Sequence, residues 1–333
     1  MRYGVREGPS VSDPFASIES IQEALARERY FADRAIATTV FLAQRLGKPL
    51  FLEGEAGVGK TEIAKVLARI LDTRLIRLQC YEGLDASHAL YEWNYPKQLL
   101  RIKMGEVDHA APRDLGREIF SEEYLIRRPL LEAIASESEN PPVLLIDEVD
   151  RADEEFEAFL LEVLSDFQIT IPELGTIRAA RPPFVVLTSN RTREIHDALK
   201  RRCLYLWIGY PSFERELEIV LAKVPGINEQ LAAQICAFMQ IIRERDFYKR
   251  PGVAETIDWA QALVTLHRNA LDPAVVDETL GCIFKHQDDV TAFRTADPAA
   301  VVERARNEAA ERHPNRAAAA SGQGSVSGTT IPS

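Results

Sequence analysis

The stretch GEAGVGKT, residues 54–61, leaves this chain few folds to choose from. It fits G-x-x-x-x-G-K-[ST] and stands between an apolar run, PLFLE at 49–53, and an amphipathic segment over 62–71. Strand, glycine-rich bend and helix in immediate succession are the setting that gives the pattern its chemistry. Gly54, Gly57 and Gly59 let the backbone curl with its N–H groups turned inward. The helix end behind them adds unpaired N–H groups and a positive dipole. Such a bend takes a phosphate chain. Lys60 is placed to reach the outer phosphates and the Thr61 hydroxyl to hold Mg²⁺, while Glu55, Ala56, Val58 and Glu62 complete the cradle.

A second element is VLLIDE, residues 143–148. A strand that leaves the core on two carboxylates is costly unless those carboxylates have a task. Asp147 is expected to hold the metal through water, and Glu148 to polarise an attacking water as general base. The acids that follow, Asp150, Asp153, Glu154 and Glu155, are read as favouring a helix start. A third element, LTSN at 187–190, closes the next apolar run. If its strand neighbours the one carrying Asp147, Asn190 is in position to orient the water or sense the last phosphate; an asparagine there is otherwise a turn residue.

These motifs sit on an alternation of short apolar runs and amphipathic segments. Runs at 49–53, 75–79, 143–147, 184–188 and 204–208 carry consecutive Val, Ile, Leu and Phe, as strands covered on both faces do, and the helices between them imply a largely parallel sheet. After Pro211 only helical patterns remain, at 213–223, 229–245, 253–267 and 273–286, separated by Pro-Gly and Asp-Pro turn signals. The expected organisation is a flexible arm over 1–17, an α/β domain over 18–210, a helical domain over 211–295 and a polar, mostly disordered tail over 296–333. From Ala317 the chain is Ala, Gly, Ser and Thr with almost no large apolar side chain.

Taken together, the three motifs in this order, followed by a helical domain, resemble the AAA+ ATPases. Residues 188–211, TSNRTREIHDALKRRCLYLWIGYP, are similar to the MoxR branch, and within it to the CoxD-type ATPases encoded beside carbon monoxide dehydrogenase and related molybdenum hydroxylases. The resemblance covers about residues 20–290. It implies a five-stranded parallel sheet of order 5-1-4-3-2 with a small helical lid, and a ring, usually hexameric, with ATP between neighbours. Asn190 then matches sensor 1, and Arg201 and Arg202 match the arginine-finger region, with no choice between them; a pair of surface cations at a helix C-terminus is the plainer alternative. The family's lid arginine has no counterpart here. Glu255 stands at the aligned place, with Lys249 or Arg250 as substitutes. The family also implies client contacts from two segments, 84–103 with Tyr91, Trp93 and Tyr95, and a hairpin over 167–178 turning near 173–175. For the aromatics, closing a satellite core is the alternative. Tyr30 and Phe31 flank adenine or pack in the core. A von Willebrand factor A domain adaptor and a molybdenum hydroxylase client are implied partners.

Composition bounds the remainder. Forty basic against fifty-one acidic side chains give a net charge of −11, which argues against a protein gripping nucleic acid by its backbone. A DNA-directed AAA+ machine, whether restriction-type translocase or helicase loader, is therefore the weaker reading, as is a nucleotide-sensing scaffold, since Glu148 points to turnover. The six histidines show no metal-ligand spacing and the four cysteines no C-x-x-C pair, so buried thiols of a reducing compartment are expected. No N-K-x-D stretch occurs, which favours ATP over GTP, and three methionines do not make a copper relay. The opening residues are too polar for a secretory signal and no apolar run reaches roughly 18 residues, so a cytoplasmic protein without membrane insertion is expected.

Overall fold

The computed structural model describes residues 13–107 and 112–313. The chain divides into two compact units between Gly209 and Tyr210.

The first unit is built on a five-stranded sheet: β1 (Leu50–Gly54), β2 (Leu75–Gln79), β3 (Val143–Asp147), β4 (Phe184–Ser189) and β5 (Leu204–Ile208). All neighbours pair parallel, in the order β2-β3-β4-β1-β5. Read from the other edge this is 5-1-4-3-2, the expected order. The three central strands are buried along their whole length, whereas the edge strands β2 and β5 expose alternate positions. Successive residues face opposite sides of a strand, so each strand feeds two cores. Leu50, Leu52, Val143, Leu145, Phe184 and Val186 pack with the helices Ile18–Arg27, Arg34–Leu46 and Lys60–Ile70. Phe51, Leu144, Ile146, Val185 and Leu187 pack with Pro129–Ile134, Glu154–Asp166 and Asp197–Arg202 on the other face.

Two small antiparallel pairs decorate this unit. Tyr91–Trp93 pairs with Leu125–Arg127, and Gln168–Ile171 with Gly175–Arg178, the latter the hairpin expected over 167–178. Gly175 adopts φ +89°, the left-handed backbone that its turn requires.

The second unit is all helical: Phe213–Lys223, Glu229–Arg243, Val253–Thr265, Pro273–Ile283, Gln287–Thr295 and Pro298–Arg312. Trp259, Phe238 and Phe293 form its aromatic centre, with ring centroids 5.0 and 5.8 Å apart. Inside it lies a buried ion pair, in which Arg243 Nη1 and Nη2 donate to Glu216 at 2.6 and 2.7 Å and Thr256 closes the network.

Both terminal expectations need correction. Phe15, inside the expected arm, is buried, its carbonyl accepts from Arg45 Nη2 at 2.7 Å, and Ser17 caps the first helix through Ser20 N–H. The expected tail likewise contains an ordered helix, Pro298–Arg312, whose Val301, Val302, Ala305 and Ala309 belong to the core of the second unit. Its stripe is made of small residues, and its charges are paired along the surface (Arg304 with Glu308 at 2.7 Å), so its mean polarity hides an apolar face. Residues 1–12 and 314–333, with the low-complexity stretch from Ala317, lie outside the described residues.

Candidate nucleotide site

The bend between β1 and the helix Lys60–Ile70 is shaped by its glycines. A Cβ on Gly54 would lie 2.0 Å from the Ile208 carbonyl oxygen of β5, so no side chain fits there. Gly57 and Gly59 hold φ of +75° and +95°, and Gly59 occupies the N-cap without a side chain, leaving the first helical N–H groups open. Lys60 is buried and turns back over the loop, its Nζ donating to the carbonyls of Gly54 and Glu55 at 2.7 and 2.6 Å. Desolvation holds its pKa below the ordinary lysine range, against the pull of Asp150, Glu55, Asp147 and Glu148. The Glu55 side chain is exposed, and Ala56 and Val58 are half-buried. The Glu62 carboxylate faces Lys65 and Arg69 at 3.4 and 3.7 Å. Tyr30 lies against the loop, its ring 3.8 Å from where a Gly59 Cβ would stand, and also packs on the core.

Because β3 lies between β2 and β4, the ends of three strands converge beside this loop. The Asp147 carboxylate is buried. Its Oδ1 accepts from the Thr61 and Thr188 hydroxyls at 3.0 and 2.6 Å. Glu148 leaves the strand in the left-handed region, φ +55° and ψ +51°, with its N–H held by Thr188 Oγ1 at 2.9 Å. An ordinary residue there stores strain, which functional sites commonly carry. The bend delivers the Glu148 carboxylate to Asn190, whose Nδ2 donates to Oε1 at 3.2 Å, and to Gln79, whose Nε2 donates to Oε2 at 3.1 Å. Arg151 Nε lies 3.5 Å from the same Oε2. Thr61, Asp147, Glu148 and Asn190, joined through Thr188, thus form one contact network, with the Lys60 ammonium close to its acids.

The residues present suit a magnesium nucleotide. Open helix N–H groups and a buried ammonium answer to phosphate. A hydroxyl sharing a carboxylate with a strand-end acid is a donor set of the hard, oxygen-only kind that Mg²⁺ takes. Among the described residues no His, Cys, Asp and Glu cluster of protein-only metal-binding type occurs.

Residues 49–203 match the family model of the AAA domain, dynein-related subfamily. The chain carries an AAA domain. It is similar to the gas vesicle ATPase GvpN of Haloferax mediterranei, 25% identical over 287 residues that cover 83% of this chain and 76% of that protein. It is similar, too, to an uncharacterized protein of Staphylococcus aureus, 26% identical over 228 residues, 66% of this chain and 77% of that one. Among solved structures, the Holliday junction branch migration motor RuvB of Thermotoga maritima is 17% identical with a TM-score of 0.41, covering 80% of this chain and 71% of that one.

Several residues of the ATPase site escaped the sequence reading. Asp150 does more than favour the short helical turn Val149–Arg151 in which it sits. It is buried, and its carboxylate accepts from the N–H groups of Asn190 and Thr192 at 3.2 and 2.8 Å and from the Thr192 hydroxyl at 2.7 Å. Asp153 does cap the helix Glu154–Asp166, through Phe156 N–H at 2.8 Å. Glu157 is also buried, pairs with Arg193, and accepts from His196 N–H at 2.8 Å. Arg77 and Gln79 reach the acids from β2. Their signal was in the sequence: two polar residues at period two in LIRLQ share one face of an otherwise apolar strand.

Neither Arg201 nor Arg202 joins this network. Both are exposed at the end of the helix Asp197–Arg202; Arg202 donates to Ser165 Oγ, while the Arg201 side chain has no hydrogen bond or ion pair among the described residues. In the helical unit, Glu255 Oε2 accepts from Gly252 N–H at 2.9 Å, so it serves its own helix start. Lys249 and Arg250 are exposed on a turn that Asp289 holds through the N–H groups of Tyr248 and Lys249. In the segment 84–103, Trp93 joins the main core on one face of the sheet, edge-on to Phe120 at 5.3 Å, whereas Tyr95, Leu99 and Leu100 are exposed along one helix, as is Met104 just beyond the segment. Cys80, Cys203 and Cys236 are buried free thiols, and burial pushes Cys80 and Cys203 up to about 12. Among the described residues no helix is long and apolar enough to cross a membrane.

Proposed function

We propose that this ATPase is of the MoxR type and works as a ring, coupling ATP hydrolysis to remodelling or cofactor insertion in a client protein. The observation that carries the hydrolytic part is the double hold on Glu148. Asn190 takes one carboxylate oxygen and Gln79 the other, in a network that also contains Thr61 and Asp147. A carboxylate so held is oriented as a base rather than merely present. In this reading Lys60 and the loop amides from Gly54 to Glu62 grip the phosphates, and Thr61 and Asp147 place Mg²⁺. The metal, when bound, draws charge from the phosphate oxygens. Glu148 accepts a proton from the attacking water, and Asn190 keeps that water in line. Arg201, with no partner of its own among the described residues, is the better of the two arginines to serve a neighbouring subunit's site.

The finer identity rests on resemblance. The wording of residues 188–211 supports a CoxD-type role, with a von Willebrand factor A domain adaptor and a molybdenum hydroxylase client such as carbon monoxide dehydrogenase, in the cytoplasm. The likeness to a gas vesicle ATPase supports a role in building another protein assembly and leaves the client to experiment. Phosphate release from ATP, measured with and without duplex DNA, tests the choice. Turnover that Glu148→Gln abolishes and DNA leaves unchanged is expected; stimulation by DNA at moderate salt would replace this reading with a DNA-directed one. Apo client incubated with the ATPase and ATP is expected to gain activity, and to stay inactive with the Glu148→Gln protein.

A further inference from the structure

The acid reserved for the metal is already neutralised by an arginine. Arg77 Nε and Nη2 both donate to Asp147 Oδ2, at 3.0 and 2.5 Å. The other oxygen, Oδ1, is taken by the Thr61 and Thr188 hydroxyls. Two lone pairs per carboxylate oxygen leave Asp147 with no acceptor position to offer a metal-bound water. The pair is lopsided. The Asp147 side chain is 3% exposed and that of Arg77 is 51% exposed. Arg77 stands on the edge strand β2, opposite Leu145, two residues before the register position where Gln79 faces Asp147. Its remaining contact is the Gln79 side-chain oxygen, also at the rim. The carboxylate is fixed by its surroundings, whereas the guanidinium borders solvent, so an outward swing would meet no packed wall on that side.

A buried carboxylate stripped of its counter-charge is strongly unfavourable. A divalent cation arriving at the same oxygens supplies that charge, and both cations cannot fill Oδ2 at once. We propose that Arg77 is a displaceable counter-ion: it neutralises Asp147 while no metal is bound and leaves Oδ2 when the magnesium nucleotide enters. The inference deepens the nucleotide-site reading and rests on it. Arg77 accordingly acts on metal affinity, through Asp147, and leaves the grip of Lys60 on phosphate alone. It is a positioning residue, competing with the metal for one oxygen.

The test uses the full-length protein and ADP binding by calorimetry, in EDTA and across a MgCl₂ series. Parent, Arg77→Met and Arg77→Lys are compared. ADP affinity in EDTA is expected to match across the three. The MgCl₂ concentration giving half the metal's effect is expected to fall about twofold to fivefold in Arg77→Met, within the span for an ion pair with a half-exposed cation. Arg77→Lys keeps the charge with fewer bonds and is expected to fall by a smaller factor. If Arg77→Met does not fold, Arg77→Lys carries the comparison. A second readout is thermal melting. Metal-free Arg77→Met melts below the parent, and MgCl₂ with ADP raises its melting point by more than it raises the parent's. A metal midpoint unchanged or raised in both variants would overturn the proposal. So would weaker ADP binding in EDTA, which would make Arg77 a phosphate ligand. A parent protein that binds no ADP under either condition is a separate failure, that of the nucleotide site itself.

Discussion

Glu148 holds a backbone conformation that costs an ordinary residue on the order of 1–2 kcal/mol. The return is a carboxylate turned out of the sheet and fixed between Gln79 and Asn190. Replacing it by glutamine keeps shape and hydrogen bonding while removing the base. Glu148→Gln is expected to bind ATP as the parent does and to lose about 10²–10⁴-fold in turnover, the usual range for a general base. A variant hydrolysing at the parental rate would remove the assignment. At Lys60 the buried ammonium is satisfied, among the described residues, by two loop carbonyls, acceptors that a phosphate outcompetes through its charge. Lys60→Ala is expected to abolish nucleotide binding by calorimetry, and undiminished affinity would refute the phosphate role.

Among the elements, the loop between β4 and the helix Asp197–Arg202 is held from below by buried acids. Asp150 takes three hydrogen bonds from it and Glu157 a fourth, with Arg193 as counter-ion. Asp150→Ala leaves the N–H groups of Asn190 and Thr192 without partners and the Thr192 hydroxyl with only the residue-150 carbonyl, at 3.4 Å, and a loss of about 2–3 kcal/mol in urea denaturation is expected. Turnover should fall as well, because Asn190 sits on the released loop, while ADP affinity holds. A variant with parental stability would show that water replaces the carboxylate. The helix Pro298–Arg312 makes a second case. Val302 is 1% exposed in the core of the helical unit, so Val302→Asp places a charge without a partner there. A loss of about 3 kcal/mol or more is expected, and an unchanged denaturation midpoint would mean that the helix is dispensable to that core.

For the whole molecule, subunit mixing separates the two arginines. A Lys60→Ala subunit cannot bind nucleotide but still carries Arg201, so mixing it with Arg201→Ala subunits is expected to restore turnover at their mutual interfaces. Arg202, already engaged with Ser165, is not expected to behave so. No rescue in either mixture would remove the role across subunits. Much of this architecture was legible beforehand. Parallel strands covered on both faces must be apolar throughout, and GEAGVGKT, VLLIDE and LTSN each end such a run, so β1, β3, β4 and their site residues could be read from local pattern. The ends were not legible. Phe15 and the Val301–Ala309 stripe are apolar only in relation to what they pack against, and averaging over charged neighbours erased them. Asp150 was misread for a related reason: an acid near a helix start satisfies a local rule, and only the return of the chain at 190–192 gives it other work. Local sequence by itself determined the glycine-rich bend, the acid pair and the set of buried parallel strands, because each depends on neighbours in the chain or on a strand's need for cover; the sheet order came only with the family resemblance. Tertiary structure alone decided which side chains reach Asp147 and Glu148 from β2 and β4, because those contacts join residues about 40–70 positions apart, whose meeting no local periodicity encodes.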